Sequence, residues 1–180
     1  KIAVFFYMAF AFVSASWFQF FGLSLENDHN MSREFTTHMW ALMGIGGVLG
    51  ALTFGRLSDR LGRPRTMCMV TALGATTCLL VLVGEMWAAA LAAAIYGTSA
   101  MAVPSLTATF VRDQVDEHDF TPVFGAMTIF YGPASVLGPI TGGVLADITG
   151  SYRVTYVLLA VTFAFASLAA WFLPRIENGN

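Results

Sequence analysis

Charged residues are confined to short segments of this sequence. Lys, Arg, Asp and Glu are absent from six stretches, 2–25, 35–55, 66–84, 86–111, 120–146 and 154–174, and gather in the segments between them. A helix rises about 1.5 Å per residue, so about 20 residues cross the roughly 30 Å hydrocarbon core of a bilayer. Each stretch meets that length. One apolar stretch would suit a buried core helix, but six in 180 residues leave almost no chain for a water-facing shell. The pattern predicts six transmembrane helices, a to f. A β-barrel, the other way to satisfy backbone hydrogen bonds in lipid, needs segments of about 10 residues that alternate apolar and polar. Runs such as Ala88-Ala89-Ala90-Leu91-Ala92-Ala93-Ala94-Ile95 do not alternate and are rich in helix-forming alanine.

Composition agrees. The chain is 57% hydrophobic and 11% charged, whereas soluble domains carry about 25% charged residues. The net charge of −2 comes with no basic block, so nothing points to a nucleic-acid partner. Six spans place both ends of the segment on one side. That side holds Lys1, Arg56, Arg60, Arg63, Arg65, Arg112 and Arg175, and the other only Arg33 and Arg153. Positively charged residues favour the cytoplasmic face, so both ends and the b–c loop are expected in the cytoplasm. The acidic d–e residues Asp113, Asp116, Glu117 and Asp119 do not alter that count. The longest external loop, 26–34, contains Asn27, Asp28, His29 and Asn30. His29, His38 and His118 are scattered, so no metal site is expected, and no cofactor motif is present. Cys68 and Cys78, about 15 Å apart along helix c, read as small packing residues rather than a disulfide. Stretch 2–25 is too long for a signal-peptide core. The chain starts with Lys rather than Met and enters helix a at once, which leads us to expect a further segment upstream.

The b–c segment reads Gly55-Arg56-Leu57-Ser58-Asp59-Arg60-Leu61-Gly62-Arg63-Pro64-Arg65. Gly55 and Gly62 are expected to allow a tight turn and close helix approach. Asp59 is expected either to accept from free N–H groups at a helix start or to pair with a nearby Arg, a charge-assisted bond worth roughly 1.5–3 kcal/mol. The arginines suit the anionic inner leaflet. A merely basic loop would explain the arginines but neither the glycines nor Asp59. The segment resembles the signature loop of the major facilitator superfamily, G-x-L-(a/s)-D-R-x-G-R, with Gly55, Asp59, Arg60, Gly62 and Arg63 in place.

Helix e carries Gly125, Gly132-Pro133 and Gly138-Pro139-Ile140-Thr141-Gly142-Gly143. The run resembles the fifth-helix motif of that family's drug–proton exchangers, with Ala134 where one glycine would stand. It equally describes a kinked helix with a thin packing face. Together with Trp40-Ala41-Leu42-Met43-Gly44 and Asp147-Ile148-Thr149-Gly150-Ser151-Tyr152, the chain resembles a carboxy-terminal half of such a transporter, most similar to the YbfB-like bacterial branch. Helix d lacks the intramembrane Arg that amino-terminal halves of drug exchangers place there, and the tail after Pro174 is short. An amino-terminal half of a drug/proton antiporter is the alternative.

The resemblance implies an all-α membrane protein: six transmembrane helices forming one half, as two inverted three-helix repeats, of a multi-pass transporter in a bacterial inner membrane. Its partners would be the lipid bilayer, a small-molecule substrate and the other six-helix half of the same polypeptide, with protons as coupling ion if transport is coupled. The site would lie between the halves, with helices a, b, d and e toward it and c and f toward lipid. Polar candidates for its lining are Tyr7, Ser14, Trp17 and Gln19 of helix a, Tyr96 and Ser99 of helix d before a kink near Pro104, and Thr128, Tyr131 and Ser135 of helix e. Each suits interhelical bonding or bonding to its own backbone equally well. No charged residue lies inside a span, so a proton carrier would have to sit in the other half. The same absence, with no paired Asp and no buried Ser–His set, argues against an intramembrane enzyme. A channel or a non-transporting membrane protein would want a charge ring or filter loop, and none is evident.

Overall fold

The computed structural model describes residues 1–174; Arg175 and Asn180, which the charge count places with the cytoplasmic ends, lie outside them. Regular structure among the described residues is helical: α1 (Ile2–Asn27), α2 (Arg33–Leu61), α3 (Arg63–Val83), α4 (Met86–Ala100), α5 (Ala102–Gln114), α6 (Glu117–Thr149) and α7 (Arg153–Trp171). Helix d is α4 and α5, broken at Met101, so the seven helices make six spans long and apolar enough to cross a membrane. The break lies three residues before Pro104, just after Ala100, whose carbonyl four residues back is the one that the proline ring would clash with in a continuous helix. The expected kink at Pro104 is therefore a break at Met101. Pro122, Pro133 and Pro139 all lie inside α6, which runs unbroken.

Helix ends follow local chemistry. The Ser32 hydroxyl accepts from the Phe35 amide at 3.2 Å, with Glu34 in the first turn of α2. Between α2 and α3 only Gly62 is non-helical, at φ 88, a left-handed conformation that glycine adopts without strain. The expected b–c loop is thus a one-residue hinge, and Gly55, Asp59 and Arg60 sit on the last turns of α2. Helices run past the charge-free stretches because charge marks the membrane boundary, not the end of the hydrogen-bonded spiral.

Packing joins helices distant in sequence. The most extensive contacts are α3 with α7, α1 with α6 and α2 with α4, followed by α3 with α4 and α1 with α7. In span letters these are c–f, a–e, b–d, c–d and a–f. Exchanging a with d, b with e and c with f maps that set onto itself, which is the signature of two equivalent three-helix repeats.

The two crossings a–e and b–d are made alike. On α2, Gly46 and Gly50 lie against the α4 backbone: a Cβ at Gly46 would stand 3.1 Å from the Ala94 carbonyl, and one at Gly50 would overlap the Thr98 carbonyl. On α6, a Cβ at Gly138 would overlap the Phe12 carbonyl, and one at Gly142 would stand 2.5 Å from the Phe20 ring. Each pair is a Gly-x3-Gly step, so both glycines face one helix. Around these crossings lies an aromatic interior: Trp17 stacks between Tyr96 (centroids 3.6 Å apart) and Phe21 (4.3 Å), all fully buried.

Gly50→Ala and Gly138→Ala should each destabilise the full-length protein by roughly 1–3 kcal/mol, because the added methyl meets backbone that cannot give way. Thr76→Ala and Val161→Ala, at exposed positions on α3 and α7, should change stability by no more than about 0.5 kcal/mol. Thermal unfolding in detergent checks the pattern, and equal losses at all four positions would contradict it.

Candidate functional site

Three features of the bundle carry chemistry or open space: a charge cluster at the α2–α3 hinge, a carboxylate clasp at the opposite end, and an apolar hollow near the middle.

At the hinge, Arg63 begins α3 one residue after Gly62. Its guanidinium donates to Asp59 Oδ1 at 2.6 Å, one turn back on α2, to Asp113 Oδ2 at 3.2 Å near the end of α5, and to the Ser58 hydroxyl. Ser58 in turn donates to the Gly55 carbonyl at 2.8 Å. Asp59 therefore pairs with an arginine rather than capping a helix. Its side chain is 65% exposed, against 35% for Asp113. That exposure lowers the worth of the Asp59–Arg63 arm to about 0.2–1 kcal/mol, below the range expected for a sheltered pair. Among the described residues Arg56, Arg60 and Arg65 make no ion pair. Gly55 serves neither a turn nor a close contact, since it lies inside α2 with open space where its Cβ would be. Asp113 gave no sequence signal as a partner, because the fold brings it to Arg63 from fifty residues away.

At the other end, Asp28 accepts from the Tyr152 amide at 2.8 Å and the Ser151 hydroxyl at 3.1 Å, joining the α1–α2 turn to the start of α7. The His29 ring packs on Gly84, between α3 and α4, closely enough that a Cβ there would stand 2.5 Å from Nδ1. The sequence marked this loop only as polar.

The polar candidates on the helices divide. Ser14, Trp17, Tyr96 and Ser99 do fall at helical spacing, but they face other helices of this same bundle and are at most 9% exposed. Tyr96 donates to the Ser14 hydroxyl at 3.1 Å, and Ser99 to the Ile95 carbonyl at 2.7 Å. The Trp17 Nε1 and the Tyr156 hydroxyl are buried with no partner among the described residues, a cost of about 1–3 kcal/mol each that the Trp17 ring stacking offsets in part. Tyr7 is buried against Tyr131 (centroids 4.6 Å) and Phe124 (6.0 Å) across the α1–α6 contact. Gln19 and Thr128 are exposed and Ser135 is half-buried. Thr128 and Ser135 bond back to the Phe124 and Gly132 carbonyls. In the helix e run, Gly138 and Gly142 pack on α1 and a Cβ at Gly143 would touch the Phe20 ring at 3.9 Å, whereas Gly125 and Gly132 leave space beside them and Pro133 is exposed; Pro139, between the two packing glycines, is half-buried.

The hollow, of about 400 Å³, is lined by Phe18 of α1, by Trp40, Met43, Gly44, Gly47 and Val48 of α2, and by Met101 at the helix break. It escaped the sequence reading because its lining is apolar, like the rest of the spans. Among the described residues no group of three or more His, Cys, Asp or Glu is placed to hold a metal ion.

The sequence model of the Major Facilitator Superfamily matches residues 3–179. The chain is 27% identical to the multidrug resistance protein MdtG of Proteus mirabilis (strain HI4320), over 82% of this chain and 37% of that protein. It is 25% identical to the hexuronate transporter of Bacillus subtilis (strain 168), over 91% and 43%, and 30% identical to the class C tetracycline resistance protein of Escherichia coli, over 75% and 34%. The matched stretch thus spans less than half the length of each of these relatives. Two equivalent three-helix repeats, six membrane-spanning segments and a family match along nearly the whole chain lead to one conclusion: this chain belongs to the major facilitator superfamily, as one six-helix half of its fold.

Proposed function

We propose that the chain is the carboxy-terminal half of a secondary active transporter, of the YbfB-like bacterial branch, that moves a small molecule across the inner membrane by alternating access. The observation that carries the reading is the uneven cover of the spans. In their most apolar windows α2 and α6 are 28% and 17% buried, whereas α1 and the α4–α5 span are 50% and 56% buried. Yet α2 and α6 carry glycines on both sides: Gly46, Gly50, Gly138 and Gly142 pack inward, and Gly55, Gly125 and Gly132 face open space. A second six-helix half, encoded upstream, seats on those outer faces and closes a cavity between the halves. The greater length of the relatives supports it. Gln19 on the exposed side of α1, with Thr128, Tyr131 and Ser135 on α6, belongs to that cavity, whereas Ser14, Trp17, Tyr96 and Ser99 stiffen the half from within.

The relatives' names span drugs and a sugar acid, so they choose no single substrate. Proton coupling, if present, uses a carrier in the other half. The Arg63 cluster ties the α2–α3 hinge to the end of α5, and we assign it to one end state of the cycle. Arg56, Arg60, Arg65 and Arg112 set the cytoplasmic side.

Reconstituted full-length protein should take up its substrate with saturation and show acceleration by substrate on the opposite side; uptake linear in concentration would make it a channel. Single cysteines at position 60 and position 29, with Cys68 and Cys78 replaced by Ala, should label from the cytoplasm and from outside respectively, and the reverse labelling would invert the orientation. Asp59→Asn should lower the transport rate by no more than about fivefold with substrate affinity unchanged, since its arm is worth about 0.2–1 kcal/mol. Arg63→Gln removes both arms and should lower the rate further. A loss of affinity without loss of rate would instead place Asp59 at the ligand.

A further inference from the structure

We propose that the hollow between α1, α2 and the α4–α5 break is a half-site for a neutral, ring-bearing apolar molecule. The proposal deepens the transporter reading, on which it rests for what happens to the molecule once bound, though not for the binding itself.

Two independent observations meet here. The first is the space. At about 400 Å³ the hollow has the size of small-molecule pockets. It exists because α2 places Gly44 and Gly47 where side chains would otherwise fill it: a Cβ at Gly44 meets nothing within 4 Å, and one at Gly47 would touch the Met101 side chain at 3.1 Å. The second is the backbone. Met101, on the wall, is the residue at which helix d breaks, near the middle of the span Met86–Gln114, and Gly44 and Gly47 lie near the middle of α2. Met101 keeps right-handed helical dihedrals (φ −66, ψ −20), so helix d is interrupted here without unwinding, and helix interruptions at mid-span are where transporters hold their ligands.

The lining names the class. Trp40 and Phe18 face each other as offset rings 5.9 Å apart at 21°, a platform on which a planar ring can stack. Met43 and Met101 adapt to irregular apolar shapes. No ionisable side chain lines the hollow, so an anion entering it would give up its hydration with no counter-charge in return. A sugar would leave its hydroxyls unpaired, with the Trp40 indole the only side-chain donor on the wall. Ring stacking, soft sulfur and absence of charge all point to the same neutral, apolar occupant.

A matched pair of probes tests this on the full-length protein in nanodiscs: N-phenyl-1-naphthylamine, and 8-anilinonaphthalene-1-sulfonate, which is the same ring system carrying a sulfonate. Energy transfer from tryptophan reports binding. The neutral probe should bind saturably, and the sulfonate at least tenfold more weakly. Gly44→Leu and Val48→Phe, filling the hollow from two sides, should each weaken the neutral probe tenfold or more with the melting temperature unchanged. Val161→Leu, on the exposed face of α7, should leave binding intact and so control for the effect of an added apolar group away from the hollow. Equal affinity for the two probes, or binding unchanged in both filled variants, would overturn the proposal. So would a phospholipid that co-purifies with the wild type and is missing from Gly44→Leu, since the hollow would then be an acyl-chain slot. Pocket-dependent binding without saturable uptake of any compound would leave the half-site standing and remove the carrier reading.

Discussion

Close backbone contact at the two glycine crossings is the interaction on which the rest of this bundle depends. In lipid an apolar side chain gains little by leaving one hydrocarbon environment for another, so helices associate through packing and polar contacts rather than hydrophobic drive. Gly46 and Gly50 on one side, and Gly138 and Gly142 on the other, let helix b reach helix d and helix e reach helix a at backbone distance. With those distances fixed, the wide rings of Trp17, Tyr96 and Phe21 fill the centre, and α3 and α7 close the back. The outer faces of α2 and α6 remain bare as a result, because the sides of those helices that can approach backbone closely are already occupied.

The six spans were legible because a charge inside hydrocarbon is costly and its absence is visible residue by residue. The extra turns of α2 and α6 were not, since Arg56, Asp59 and Arg60 continue a helix into water at no such cost. The hinge was half legible. Gly62 could be read as a turn, and Asp59 as a partner of some arginine. The pairing with Arg63, and the second arm from Asp113, needed the fold, because contacts between distant segments leave no local trace.

The polar candidates show a sharper limit. Hydroxyls within membrane helices mostly bond one turn back along their own backbone, as Ser16 does to Phe12, Thr53 to Leu49, Thr98 to Ala94 and Ser99 to Ile95. A polar residue satisfied in this way sits equally well in the interior or on an open face. Helical spacing put Tyr7, Ser14 and Trp17 on roughly one face without saying that Ser14 and Trp17 turn into the bundle against Tyr96 of α4 while Tyr7 meets Tyr131 of α6. The hollow, by contrast, is made by glycines and a broken helix, and its walls look like ordinary span.

Ties at the two ends of the half differ in kind, and that difference bears on the proposed cycle. Asp28 holds a backbone amide and a hydroxyl of the α6–α7 turn. The Tyr152 amide is held by the backbone at the start of α7, and the Ser151 oxygen also accepts from the Arg153 amide at 3.2 Å, so this end behaves as a fixed clasp. Arg63 instead stands between two carboxylates on different helices, one of them largely exposed, and water or a third charge can replace either arm at small cost. The link to α2 is local, one turn across Gly62, whereas the link to α5 spans separate segments. Motion of α5 relative to the hinge would break only the Asp113 arm and leave Arg63 paired with Asp59, with no charge stranded. In the proposed cycle, a half that rocks as a stiff body while exchanging one contact needs that asymmetry: a permanent join at the Asp28 end, a replaceable one at the α2–α3 hinge, and a packed aromatic centre to keep the two ends in register.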